Sequence, residues 1–310
     1  MFNEHLTDIY ILTERIEDSF YYPNLMPAYS DYKQFIHTVI EKSKLVLKKD
    51  YVIASDCGVR FRCHRMPSQW GQIIIMRRLP DVAWTLNDCK FTPELQQHLL
   101  SPRLNSGGII IVGGMPGNGK STTCGGIIID RLAKHGGHCN TIEDPVEMPL
   151  MGRHGNGFCI QREVDGQEHF HEAIRDTMRG YPVGVNTMMM IGEVRDPDTA
   201  ELALRSSIDG RLVIVSFHSG DIVQSIQRLV SLASDKLGNR ETRDMLASSF
   251  RMALHQQLID GKLSVSSLLD TQHVIGTIRM ENAILEQLQT EIRRQDALLK
   301  SRKRVEVREK

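Results

Sequence analysis

The residues best suited to chemistry lie in one short run, Gly114-Met-Pro116-Gly117-Asn118-Gly119-Lys120-Ser121, which has the spacing G-x-x-x-x-G-K-[ST]. Glycines at 114, 117 and 119 let the backbone turn its N–H groups inward, onto phosphate oxygens. A helix opening at the lysine adds the positive end of its dipole. Lys120 is then placed to neutralise β- and γ-phosphate charge, the Ser121 hydroxyl to ligate Mg²⁺, and Thr122 to contact the α-phosphate. Taken alone, the run supports a bound nucleoside triphosphate with Mg²⁺ and does not single out ATP, which is the cofactor expected once the whole motif set is read.

Hydrolysis needs carboxylates as well, one to position water and one near the metal. Two acidic stretches follow apolar runs. The first is Thr141-Ile-Glu143-Asp144-Pro145-Val-Glu147. Pro145 keeps Asp144 out of the helical region, so these acids are expected on an extended loop beside the phosphates. The second is Met188–Ile191 followed by Gly192-Glu193-Val-Arg195-Asp196. An apolar strand ending in an acid is a Walker B pattern, here with Gly192 at the place of the usual first aspartate. Each acid on its own reads equally as a cap or a surface charge.

Elements must hold these groups in place. Ile109–Val112 is a β-branched run suited to a buried strand, and Ser121–Lys134 to the helix after the glycine loop. Asp196-Pro197 reads as an N-cap with proline at the first helical position, opening a helix through about Ser206. From Gly108 onward, apolar runs alternate with amphipathic segments, the rhythm of an α/β fold with a parallel sheet. Upstream, Asp31–Lys48 has helical spacing. In Val59–Met66, Val59, Phe61 and Cys63 alternate with Arg60, Arg62 and His64, as in a half-buried strand. Gly71–Leu79 is a second strand and Thr92–Leu100 a short helix. The expected organisation is a small domain over 1–100, a linker over 101–107, a core over 108–279 and a charged helix over 280–310. That last helix has Leu285, Leu288, Ile292 and Leu299 at near-heptad spacing, interrupted by Gln295, and is expected to fray.

Bulk properties narrow the class. The chain has 310 residues, enough for about two domains, with 41% hydrophobic and 25% charged residues. A formal net charge of +0 gives no electrostatic case for nucleic-acid binding. No apolar stretch approaches the roughly 18 residues of a membrane span. The N-terminus has neither the basic start nor the apolar middle of a signal peptide. Six cysteines without a C-x-x-C pair argue against structural zinc and fit a reducing compartment. The expected place is the cytoplasm, with any membrane association peripheral and made through partners.

The ordered motifs resemble those of the PilT/GspE-type secretion and pilus ATPases. Gly114–Thr123 resembles the family's Walker A, and Thr141–Glu147 its Asp box. Gln161–Val164 is similar to the strand after that box, and Phe170–Arg179 to its arginine-bearing helix. Ile191–Asp196 resembles the atypical Walker B, Arg211–Ser219 the His box, and Met245–Gln257 the helix that closes the core. Together they cover about Val59 to Leu258. The resemblance implies a RecA-like P-loop ATPase core with an N-terminal PAS-like α+β domain. It implies a homo-hexameric motor for pilus dynamics, conjugation or secretion, driving an inner-membrane platform protein. By position, Glu147 polarises the attacking water, Glu193 acts near Mg²⁺ through water, and His218 senses the γ-phosphate. Arg60, Arg62 and Arg77, with Arg175 and Arg179, become nucleotide contacts.

Alternatives stay open at several of these residues. His218 also reads as a satisfied core histidine, and Arg60 and Arg62 as the solvent face of a strand. Arg175 and Arg179 read equally as subunit-interface ion-pair partners. The sequence departs from the family at Gly210-Arg211, where Gly-His is usual, and in a longer Tyr181–Thr187 approach to Walker B. It lacks the four-cysteine zinc subdomain of assembly-type members, which favours retraction- or conjugation-type relatives. The competing readings are a nucleotide-binding regulatory scaffold with little turnover and a RecA-like nucleic-acid motor.

Overall fold

The computed structural model describes residues 2–164, 169–303 and 305–308. The chain divides into two units, Met1–Val82 with Pro145–Pro149, and Ala83–Asp144 with Leu150–Lys310. In the first, β1 (Asp8–Leu12), β2 (Phe20–Tyr22), β3 (Met26–Pro27), β4 (Asp50–Ala54), β5 (Arg60–Ser68) and β6 (Gly71–Arg78) form a sheet in the order β3-β2-β1-β6-β5-β4. Every pairing in it is antiparallel. Alternation decides which side chains go inward. Ile9, Ile11, Phe61, Cys63, Ile74 and Met76 are buried with Ile36 and Val39 of α1 (Tyr29–Lys44), while Arg60, Arg62 and His64 project from the other face.

The second unit is built on an eight-stranded sheet. Its elements in chain order are α2 (Pro93–Leu99), β7 (Gly108–Gly113), α3 (Lys120–His135), β8 (Gly137–Glu143), β9 (Gly152–His154), β10 (Gly157–Glu163), α4 (Phe170–Arg179), β11 (Thr187–Ile191), α5 (Pro197–Ile208), β12 (Leu212–Phe217), α6 (Ile222–Leu237), α7 (Asn239–Ser249), β13 (Phe250–Ile259), β14 (Lys262–Leu269), α8 (Gln272–Arg279) and α9 (Leu288–Lys300). Strand order is β14-β13-β7-β12-β11-β8-β10-β9. The six inner strands run parallel, with antiparallel β14 and β9 at the edges. β7 and β12 are buried at every position, which is why they read as unbroken apolar runs. The local signals hold: Thr92 caps α2, and Asp196 caps α5 by accepting from the Thr199 N–H, with Pro197 at its first turn.

Three expectations need correction. The unit boundary falls at Val82, well before residue 100, because α2 and its approach pack into the second unit: Asp130 of α3 accepts from the Leu86 N–H at 2.9 Å. The stretch 101–107 is not a free linker. Leu104 is fully buried, and Arg103 makes a two-pronged pair with Asp270 at 2.8 and 2.7 Å. The helix expected over Met245–Gln257 ends at Ser249, and β13 follows. Its residues Phe250–Gln256 are buried between β7 and β14, and a strand alone can fill that place in the sheet.

A further correction concerns the charged helix expected over 280–310 and expected to fray: α9 spans only Leu288–Lys300, and it is part of the fold. Leu285, Leu288 and Ile292 join the core, and Gln295, which interrupts the heptad, is fully buried. Its amide accepts from the Leu269 N–H at 2.7 Å and donates to the Leu269 carbonyl at 3.3 Å. Asp296 accepts from the Ser267 N–H at 3.0 Å. Side chains of α9 thus satisfy the outward backbone groups of edge strand β14, which an open edge would leave exposed. Beside them Arg294 pairs with Glu291, and with Gln295 and Thr271 it holds the Glu291 carboxyl down at about 2. A carboxylate depressed below its usual 4.5 contributes stability above that value and loses it as pH falls toward 2. Acid titration of unfolding stability, followed by urea melts, is expected to show this loss between about pH 5 and pH 2. Glu291→Gln should be less stable at neutral pH and show a shallower acid decline.

Candidate nucleotide site

β7 delivers the chain into the glycine loop, and α3 starts at Lys120, one residue before the expected Ser121. Gly114, Gly117 and Gly119 all have positive φ, of 155°, 78° and 76°. At Gly114 the constraint is double, because an added Cβ would also stand 2.7 Å from the carbonyl oxygen of Gln256. β13 backs the loop here. The fully buried Gln256 donates from its amide to the Asn118 carbonyl, and the Asn118 side chain accepts from the Leu258 N–H at 3.2 Å. The N-cap of α3 is Gly119, which offers no side chain to the first turn. Pro116 lies within the loop, and Ser121 and Thr122 follow Lys120 in the first turn of the helix. A loop that glycine alone can trace, opening onto an uncapped helix start with a lysine and a hydroxyl, fits a polyphosphate with Mg²⁺.

Lys120 is 8% exposed. Its ammonium donates to the Met115 carbonyl at 3.2 Å and to Nδ1 of His218 at 3.1 Å. An ammonium has no lone pair, so Nδ1 must accept and the ring proton sits on Nε2. Nε2 faces Oε2 of Glu193 at 3.4 Å, and the same oxygen is paired with Arg195. The structure therefore joins Lys120, His218, Glu193 and Arg195 in one chain of contacts. His218 sits at the end of β12, Glu193 just after β11, and Lys120 after β7. The parallel order brings together the carboxyl ends of three adjacent strands, β7-β12-β11. Burial lowers the imidazole pKa below 6.5. Glu193 pulls it up, while Lys120, Arg195 and Arg228 push it down.

Glu143, expected with its neighbours on the acidic loop and given no role of its own, is instead the last residue of a buried strand. It ends β8 and is 3% exposed, accepting from the Thr141 hydroxyl at 2.5 Å and the Gln161 amide at 2.9 Å. Gln161 in turn accepts from the N–H groups of Leu150 and Met151. Glu143 also explains Gly192. A Cβ there would meet the Ile142 carbonyl at 3.3 Å and the Glu143 Cα at 3.4 Å. A side chain at the first-aspartate position would be a tight fit against the neighbouring strand, which would have to give by a few tenths of an ångström and which carries a carboxylate of its own. The available signal was the i, i+2 placement of Thr141 and Glu143 on one strand face.

Glu147 belongs to the first unit, where Arg62 pairs with its carboxylate at 3.1 Å and Arg60 donates to its carbonyl at 3.0 Å. Arg60 and Arg62 thus have a specific partner and are more than a solvent face. Arg77 pairs with Asp8 at 2.9 Å, and the Glu147 carboxylate adds a weaker pull on the same guanidinium. Arg175 and Arg179 are exposed on α4. Arg211, the departure from Gly-His, lies 5.3 Å from the centre of the Tyr181 ring and pairs with Asp209 at 3.5 Å. The Tyr181 hydroxyl donates to the Met188 carbonyl at 2.8 Å. Arginine and tyrosine together pin the long approach to β11. Among the described residues, no helix is long and apolar enough to cross a membrane and no group of histidine, cysteine or acidic side chains is arranged to hold a metal by itself.

A sequence model described as Type II/IV secretion system protein matches residues 50–300. The chain is 28% identical over 249 residues to a twitching motility protein of Neisseria gonorrhoeae, covering 77% of this chain and 63% of that one. It is 29% identical over 247 residues to the type IV pilus retractation ATPase PilT of Pseudomonas aeruginosa, covering 77% and 67%. The matched part is thus about two thirds of the length of these relatives. Among solved structures, the pilus retraction motor PilT with bound ADP superposes with a TM-score of 0.70 at 22% identity, covering 96% of this chain and 86% of that one. The ATPase DotB of Legionella pneumophila gives 0.71 at 19% identity, covering 96% and 88%. At these identities the structural likeness speaks for the fold, a RecA-like core with an N-terminal domain.

The charge order around His218 gives a direct check. In NMR titrations its imidazole is expected to titrate below 6.5. Removing the neighbouring cation in Lys120→Met should raise that value, and removing the neighbouring anion in Glu193→Gln should lower it further.

Proposed function

The chain belongs to the Type II/IV secretion system protein family, and from that premise we propose that it is an ATP-hydrolysing motor working as a homo-hexamer on a membrane platform protein. The observation that carries this reading is the contact chain Lys120–His218–Glu193 at the phosphate loop. It joins a phosphate-binding cation to a carboxylate through a side chain able to register whether the cation is occupied. The relatives named above, a twitching motility protein and a pilus retractation ATPase, support the same activity.

In this reading the loop amides and Lys120 bind the β- and γ-phosphates. When phosphate arrives, the ammonium exchanges His218 for phosphate oxygen, and the imidazole is freed toward the γ-position. Ser121 would hold Mg²⁺, with Glu193 reaching it through water, and the cation supplies neutralisation of charge on the transferred phosphoryl. Glu147, oriented by Arg62, is the proposed water-polarising carboxylate. Glu143 braces the end of β8 next to Gly192. Arg175 and Arg179, exposed on α4, are proposed to act across subunits.

Phosphate release from ATP by the whole chain, with its mass followed by light scattering, tests the proposal. Glu193→Gln should keep nucleotide affinity and lose about a hundredfold or more of turnover. Lys120→Ala should weaken nucleotide binding by about ten- to a hundredfold, the worth of one charge-assisted contact. Binding without turnover above the Lys120→Ala background would remove the motor and leave a regulatory scaffold.

A further inference from the structure

Past α9 the chain does not trail away. The Lys303 N–H donates to the Leu298 carbonyl at 2.9 Å and the Arg302 N–H to the Leu299 carbonyl at 3.0 Å, with Arg302 at φ 54°. This is the glycine-type helix stop, with an arginine at the left-handed position. Val305 is then fully buried, and the Arg308 N–H donates to the Asp270 carbonyl at 3.0 Å. The returning segment and α2 enclose a groove of about 840 Å³ within the second unit. That size is in the range of pockets that hold a ligand or a short peptide.

The groove is strongly positive in a chain of net charge +0. Among the described residues, Arg302, Lys303 and Arg308 line it, against one acid, Glu94. The fourth cation, Arg103, is neutralised by Asp270. Arg302 and Lys303 are exposed and form no side-chain hydrogen bond or ion pair among the described residues. Arg308 donates one guanidinium N–H to the Ser248 carbonyl. Leu299 and Val307 add aliphatic surface between the charges. Placing an arginine where glycine is conformationally preferred puts its guanidinium at the groove at a cost in local stability.

We propose that this groove binds an extended acidic segment of a partner protein. An extended peptide can set carboxylates against Arg302, Lys303 and Arg308 while laying aliphatic carbons on Leu299 and Val307. A bilayer presents a flat face and cannot follow charges into a concavity. The nucleotide loop contributes no residue to the groove, so the two functions are separable by mutation.

The test uses the full chain and a fluorescein-labelled octapeptide of alternating glutamate and alanine, with a glutamine-for-glutamate peptide as control. Anisotropy should show saturable binding of the acidic peptide at low salt, weakening as salt rises, and none of the control. The double variant R302E/K303E should lose at least about tenfold in affinity, with nucleotide binding unchanged. Arg302→Gly separates binding from structure. It should weaken the peptide about threefold yet raise the melting temperature by about 1–3 °C, because glycine relaxes the left-handed turn. Equal peptide binding by wild type and R302E/K303E, or none by wild type at millimolar peptide, would overturn the proposal. So would charge-dependent binding to phosphatidylserine vesicles without binding of the peptide.

Discussion

A lysine ammonium with only 8% of its residue exposed must be given acceptors, and much of the second unit is arranged around giving them to Lys120. One is the Met115 carbonyl of its own loop, and another is Nδ1 of His218, ninety-eight residues away in sequence. The second contact fixes the imidazole tautomer and turns Nε2 toward Glu193. In the proposed function a phosphate draws on the same ammonium, whose three N–H donors then serve phosphate as well as protein acceptors. The proposed link between occupancy of the loop and the state of the histidine runs through that shared group.

The sheet makes that contact possible. Parallel neighbours β7, β12 and β11 end side by side, so the loop, His218 and Glu193 meet without any long excursion of backbone. On the far side, β13 closes against the loop through Gln256 and Asn118, which makes Gly114 sterically obligatory. Edge strand β14 is in turn finished by Gln295 and Asp296 of α9. The C-terminal helix is thus an integral wall of the core: it completes the sheet whose neighbouring strands hold the phosphate loop.

Features encoded within a few residues were legible in the sequence. The glycine loop, the Asp196-Pro197 helix start and the alternation of Arg60 to His64 each depend on local backbone chemistry, and each is where it was expected. Features that depend on a neighbour distant in sequence were not. Gly192 looks like a lost aspartate until Glu143 is seen occupying the adjacent space. Phe250–Gln257 lies in the stretch whose family resemblance implies a helix, yet the gap between β7 and β14 makes it a strand. Gln295 reads as a defect in a heptad, because its role is to pair with the backbone of Leu269. The pairing of Glu147 with Arg62 likewise joins residues 85 apart in sequence and has no local signature.

The central claim is that phosphate and His218 compete for Lys120. The most direct measurement is the imidazole pKa of His218, by NMR, in the free protein and in the protein saturated with ADP. Transfer of the ammonium to phosphate removes a cation from beside the ring and brings anionic oxygens near it, so the pKa is predicted to rise on binding. An unchanged value in a protein shown to be saturated would mean that Lys120 never leaves the histidine, and the proposed link between the phosphate loop and Glu193 would be contradicted.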